Sequence, residues 1–121
     1  MRKSQSIKEQ QRAYAERLLV ALGKQLGDRG VTQVFVVTQD GRPALDVTDS
    51  RCRVRRVFVH LPFCWFYWGD QQDERVSFLQ MAGAVDRIEE AARAGWADGE
   101  QGDLRVDLDK LLDAYRGGSC G

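Results

Sequence analysis

A single histidine, His60, is available for acid–base work in 121 residues. Triad chemistry sets a histidine between a nucleophile and an orienting carboxylate, and no serine, threonine or cysteine here has an evident base. P-loop, dinucleotide-binding and HExxH patterns are missing too. Three cysteines, Cys52, Cys64 and Cys120, cannot all pair within one chain and form no CxxC knuckle, which argues against a disulfide framework. With His60, the first two offer three zinc ligands and no clear fourth. The aspartates at 103, 107, 109 and 113 lack the order of a calcium loop and its closing glutamate. The chain is therefore expected to have no catalytic residues, no metal and no cofactor. No apolar run reaches the ~18–20 residues that span a bilayer, and the first residues lead into a charged helix rather than a secretory core. A cytoplasmic protein without a membrane segment is expected.

Charge of one sign is missing overall but not locally: residues 1–60 hold 12 Arg and Lys against 6 Asp and Glu, and residues 61–121 hold 6 against 12. The plain expectation is that the two halves attract each other within one fold. An apolar content of 43% with 30% charged residues fits one globular domain, placed at residues 1–116. The glycine-rich tail 117–121 has no apolar anchor to offset its ordering entropy and is expected to be flexible, with an exposed thiol at Cys120.

What the chain has in abundance is aromatic residues in one place. Residues 58–70 carry six of its eleven Phe, Trp and Tyr. On a strand, Trp65 and Tyr67 share one face while Cys64, Phe66 and Trp68 take the other. A strand apolar on both sides needs cover on both sides, from helices or from a partner.

The remaining segments surround that strand. Ser6 and Glu9 form a capping box opening a helix, whose stripe runs through Ile7, Tyr14, Leu18, Leu22 and Leu26 and is widened by Ala15, Leu19 and Ala21. Lys8, Arg12, Arg17 and Lys24 fall on its outer face, and Gly27 and Gly30 stop it. Residues 31–39 and 44–48 form a hairpin about Asp40-Gly41-Arg42-Pro43. In the run 51–60, Cys52 and Val54 alternate with Arg51, Arg53 and Arg55, and Arg56 breaks the alternation, so a bulge at Arg55 and Arg56 is expected. Pro62 turns the chain into the aromatic strand 64–68. From about Asp73 the spacing predicts a helix to Gly95, with Ala82, Gly83 and Ala84 lying close to Trp65 or Trp68. Leu104, Leu108, Leu111, Leu112 and Tyr115 predict a final helix beginning near Asp107. The sum is an α+β domain: a four-stranded, mainly antiparallel sheet flanked by an N-terminal helix and two C-terminal helices, in the order α-β-β-β-β-α-α.

The strand Cys64-Trp65-Phe66-Tyr67-Trp68-Gly69-Asp70, after a helix, a Val-rich strand and an Arg/Val strand and before an Ala-rich helix, resembles a group of small actinobacterial α+β proteins of unknown function. These carry a Trp-aromatic-x-Trp-Gly-acid strand. The likeness covers roughly residues 14–94 and implies a compact module; it lends no catalytic residues.

Aromatic and arginine side chains are the enriched anchors of protein interfaces. The function expected is a non-enzymatic protein-interaction module, of adaptor, escort or immunity type, binding another protein or a second copy through Trp65, Tyr67, Arg53 and Arg55. The alternative is a nucleic-acid-binding accessory protein that uses Arg51, Arg53, Arg55 and Arg56 with the aromatics for phosphate contact and stacking.

Overall fold

The computed structural model describes residues 6–97. The final helix, the tail, Cys120 and the late aspartates lie outside the described residues. The order within them is α1 (Ile7–Asp28), β1 (Gln33–Val37), β2 (Pro43–Thr48), β3 (Val54–His60), β4 (Trp65–Tyr67), a 3-10 turn (Gln72–Glu74), β5 (Arg75–Ser77) and α2 (Met81–Ala94). All neighbouring strands pair antiparallel in the sequential order β1-β2-β3-β4-β5. The α+β class is as expected; the sheet has five strands rather than four.

The capping box forms as read: the Glu9 N–H donates to Ser6 Oγ and the Ser6 N–H to Glu9 Oε1, both at 3.1 Å. The stripe that α1 buries is Ala15, Leu19, Leu22 and Leu26. These four lie within the expected stripe, while Ile7 is exposed and Tyr14 is 43% exposed, edge-on to Phe78 at 6.2 Å, so the packed face narrows towards Ala15 in the first turns. Gly23 lets the helix settle on the hairpin. A Cβ there would meet Gln33 Oε1 at 2.5 Å and Leu45 Cδ1 at 3.0 Å.

Both helices cover one face of the sheet. Leu19, Leu22 and Leu26 of α1 and Ala84, Val85, Ile88 and Ala92 of α2 form one core with Leu45, Val47, Val57, Phe66 and Trp68. The basic first half and the acidic second half do meet, because Arg29 Nη1 reaches Asp86 at 2.6 Å and Glu89 at 2.9 Å.

Two segments depart from the expected pattern for a shared reason. The β3 register runs without interruption through Val47↔Arg55, Asp46↔Arg56 and Leu45↔Val57, so there is no bulge. Arg55 takes the core-side position and Val54, 48% exposed, the outer one. An arginine is tolerated there because Glu74 comes to meet it, Nη1 to Oε2 at 2.5 Å. Placing Glu74 this way takes residues 72–74 as a 3-10 turn and residues 75–77 as a strand, which delays α2 to Met81. Ala82 and Gly83 consequently face away from the tryptophans and are exposed, with nothing within 4 Å of a Cβ at Gly83. Cys52 and Cys64 are turn residues at φ 63° and 58° rather than strand hydrophobes, although Cys64 still packs against the core.

Candidate functional site

Strand periodicity carries the aromatic residues to opposite sides as the sequence implies. Phe66 and Trp68 enter the helix-covered core, while Tyr67 pairs across from Phe58, and Trp65 from His60, on the outer face. Among the described residues no helix lies over this outer face. Phe58 and Tyr67 are 5.8 Å apart between ring centroids, and with Ala44 and Val36 they form a second, smaller apolar cluster.

Towards the β3–β4 turn the cluster continues as a run of stacked rings. His60 to Phe63 and Phe63 to Trp65 are each 5.1 Å between centroids and nearly parallel. Guanidinium groups lie on the same surface: Arg42 Cζ is 4.2 Å from the Phe58 centroid, and Arg75 Cζ is 4.2 Å from that of Trp65. These are favourable cation–π distances. Arg56 forks onto Asp46 across the β2–β3 pair, at 2.8 and 3.1 Å. Phe63, in the β3–β4 turn, is 47% exposed, and Val34, opposite Asp46 on the edge strand, is 58% exposed. A cavity of about 500 Å³ between the first turns of α1 and the outer-face rings is lined in part by Lys8, Arg12, Arg42, Phe58 and His60. Its charge is mainly positive, with Asp40 as the counter-charge.

His60 belongs to this surface rather than to a catalytic constellation. Burial pushes its pKa below the ordinary histidine value, and the Phe63 N–H donates to its Nδ1 at 3.3 Å, as a neutral imidazole allows. Among the described residues, no three His, Cys, Asp or Glu side chains converge to hold a metal ion.

Arg53 and Arg55 do not share the face of Trp65 and Tyr67. Arg55 is buried with Glu74, and its Nη2 donates to the Ala97 carbonyl at 2.9 Å. Arg53 and Asp49 organise the β2–β3 turn. Asp49 Oδ1 accepts from the Arg51 and Arg53 N–H groups at 2.9 and 2.7 Å, and Oδ2 from the Trp96 N–H at 2.8 Å. Arg53 Nη2 donates to the Trp96 carbonyl, and Trp96 Nε1 donates to the Arg53 carbonyl at 3.1 Å. The aromatic partners the sequence missed are Phe58, His60 and Phe63. Phe58 and His60 share a face by alternation within β3, and the antiparallel register that sets them opposite Tyr67 and Trp65 is what brings them to this surface.

Burial alone would raise the pKa of Asp49, but the N–H donors of Trp96, Arg53 and Arg51, and the charge of Arg53, outweigh it and hold the carboxyl below its ordinary value. A depressed folded-state pKa contributes stability above the unfolded value and loses it as pH falls. His60 acts in the same direction, starting from about pH 6.5. Stability is therefore expected to be flat near neutrality, to soften below about pH 6.5, and to fall further below about pH 4. Urea midpoints measured across that range check this. Asp49→Asn should flatten the acid limb, and an unchanged limb contradicts the assignment.

A comparison of the chain with protein-family models, with curated proteins and with solved structures finds no match. No helix among the described residues is long and apolar enough to cross a membrane.

Proposed function

We propose that the chain is a non-catalytic docking module whose binding surface is the outer sheet face, with Trp65 and Phe63 as its accessible anchors and Tyr67 and Phe58 as the bed beneath them. The observation that carries this reading is the asymmetry of the sheet: both described helices pack on one side, yet five aromatic or imidazole rings occupy the other. Contiguous apolar patches of this kind mark interaction sites. Arg42 and Arg75 lie on the rings and Lys8 and Arg12 beside them, so the chemistry that fits is an acidic amphipathic helix with an apolar stripe, presented by another protein or by a second copy.

Nucleic acid draws less support as a partner. Three of its four candidate arginines are engaged with carboxylates, Arg53 with Asp49, Arg55 with Glu74 and Arg56 with Asp46, which leaves the cluster little for phosphate beyond the exposed Arg51.

The test is Phe63→Ser with Trp65→Ser, checked for retained fold by circular dichroism. Affinity for a labelled acidic amphipathic peptide, and self-association by sedimentation, are then compared with the parent. Losing two aromatic anchors should weaken association at least about tenfold. A folded variant that keeps every association of the parent places the surface elsewhere, and binding of a labelled oligonucleotide that collapses with added salt and does not depend on Trp65 favours nucleic acid.

A further inference from the structure

β1 is an edge of the sheet, and its hydrogen-bonding phase turns one set of backbone groups outward. The Thr48 N–H donates to the Thr32 carbonyl and the Thr38 N–H to the Arg42 carbonyl, each at 2.9 Å. Hydrogen-bonded pairs recur at every second residue of an antiparallel ladder. Val34 and Val36 therefore direct their N–H and C=O groups at β2, while Gln33, Phe35 and Val37 direct theirs away from it. Among the described residues these outward groups meet no backbone partner. Edge strands are ordinarily short, or are blunted by charge, proline or a bulge. β5, the opposite edge, has three residues including Arg75. β1 has five, Gln33-Val34-Phe35-Val36-Val37, with no charge, no proline and no break in register, and more than half the surface of Val34 and of Val37 is exposed.

The strand is complementary to itself. A two-fold axis at Phe35 sets Phe35 opposite Phe35 of a second copy and Gln33 opposite Val37 of that copy, which pairs every outward N–H and C=O of both strands. Val34 then meets Val36 of the second copy, a β-branched cross-strand pair with no like charges to repel.

α1 offers a second contact of the same symmetry. Gly23 rests against Gln33 of β1 and Leu45 of β2, so α1 lies over that pair of strands. Two copies joined at β1 hold these helices about 10 Å apart, two strand spacings, which is a packing distance for helices. Gly23 and Gly27 both adjoin the Gln33 side chain, marking the β1 side of α1, and Val20 is within about 20° of Gly27 round the helix axis. The Val31 N–H donates to the Leu26 carbonyl at 2.9 Å, so α1 runs opposite to β1 and Val20, a turn before Gly23, comes level with Phe35. Val20 is more than half exposed, and the exposed Glu16 and Lys24 flank it one turn to either side. In helices antiparallel about Val20, Glu16 of each copy lies beside Lys24 of the other.

We propose that the chain forms a two-fold dimer in which β1 pairs antiparallel with β1 of a second copy about Phe35, joining the two five-stranded sheets into one, with α1 packed on α1 about Val20. The contact uses the same patch on both copies and closes on itself, leaving only the short, charged β5 edges outside. It goes beyond the docking face, since Phe63 and Trp65 lie at the other side of the sheet.

The experiment measures the mass of the full chain by sedimentation equilibrium and amide hydrogen exchange at Gln33, Phe35 and Val37. The parent is expected at twice the chain mass with those amides protected. Val34→Lys with Val37→Lys, at positions already exposed in the single chain, brings like charges across the two-fold. It should raise the dimer dissociation constant at least about tenfold and release the edge amides. Glu16→Lys should weaken the dimer several-fold, and Glu16→Lys with Lys24→Glu should restore it, a recovery that a change confined to one chain's own stability does not give. A parent at the single-chain mass, or one whose mass grows without limit, overturns the proposal. So does a dimer indifferent to the β1 lysines or to Glu16→Lys, or a charge exchange that restores nothing. Should the lysine variant prove unfolded by circular dichroism, the charge exchange decides alone. In Phe63→Ser with Trp65→Ser, loss of peptide binding with the dimer kept is the expected pattern, and loss of the dimer there overturns the β1 contact.

Discussion

Glu74→Ala is expected to cost roughly 3–5 kcal/mol of folding free energy, the penalty for removing one member of a buried ion pair and leaving the other charged. Arg55 and Glu74 are 6% and 8% exposed and meet at 2.5 Å. Without the carboxylate, the guanidinium keeps, among the described residues, the carbonyls of Trp68, at 3.5 Å, and Ala97, at 2.9 Å, and the Trp96 ring at 6.0 Å. Two neutral acceptors do not balance a desolvated cation. The measurement is the urea midpoint at constant m-value. Replacing both partners by leucine should recover most of the loss, since well-packed apolar pairs substitute for buried ion pairs at little cost. A loss below about 1 kcal/mol for Glu74→Ala would place this pair among weak surface bridges. Gly69→Ala should act in the same direction, because the new Cβ would overlap the Glu74 carboxylate and push it off Arg55.

This ion pair is also where the sequence was hardest to read. Local patterning handled features set by nearby residues: the Ser6 cap, the hairpin about Gly41, and the division of residues 65–68 between two faces all follow from spacing within a few positions. Arg55 does not. Its polarity against the period of β3 suggests a bulge, and only a carboxylate nineteen residues later makes an uninterrupted register tolerable. The same distant partner hid β5, whose three residues, Arg75, Val76 and Ser77, pair with Tyr67, Phe66 and Trp65 although Val76 also fits the helical stripe that follows. For the candidate surface, Trp65 and Tyr67 were legible from alternation. Arg53 and Arg55 were assigned to it by proximity in sequence, and a core-side carboxylate and the Asp49 turn draw them to other places.

The second large effect is expected at Trp68. Trp68→Ala should cost roughly 3–5 kcal/mol, in line with other large-to-small changes at buried aromatic positions. The indole is 2% exposed, lies 6.4 Å from Trp96 and has Arg87 Cζ at 5.8 Å. Its backbone N–H donates to the Glu74 carbonyl at 2.9 Å. Truncation would thus open a void where β4, α2 and the Arg55–Glu74 pair adjoin, and a rigid sheet on one side limits how far that void can collapse. Trp65→Ala makes the informative contrast, since Trp65 stacks on Phe63 and under Arg75 on the outer face and is only half-buried. Its loss should be about 1 kcal/mol, the ordinary size for a substitution outside the core. At 4–8 °C per kcal/mol for a domain of ~60–100 residues, the two variants should separate clearly in a thermal melt. Trp68→Ala should melt far below the parent and Trp65→Ala only a few degrees below it. Equal losses would mean that the two faces of β4 are equally load-carrying, and Trp65 would then be a core residue rather than an anchor for a partner.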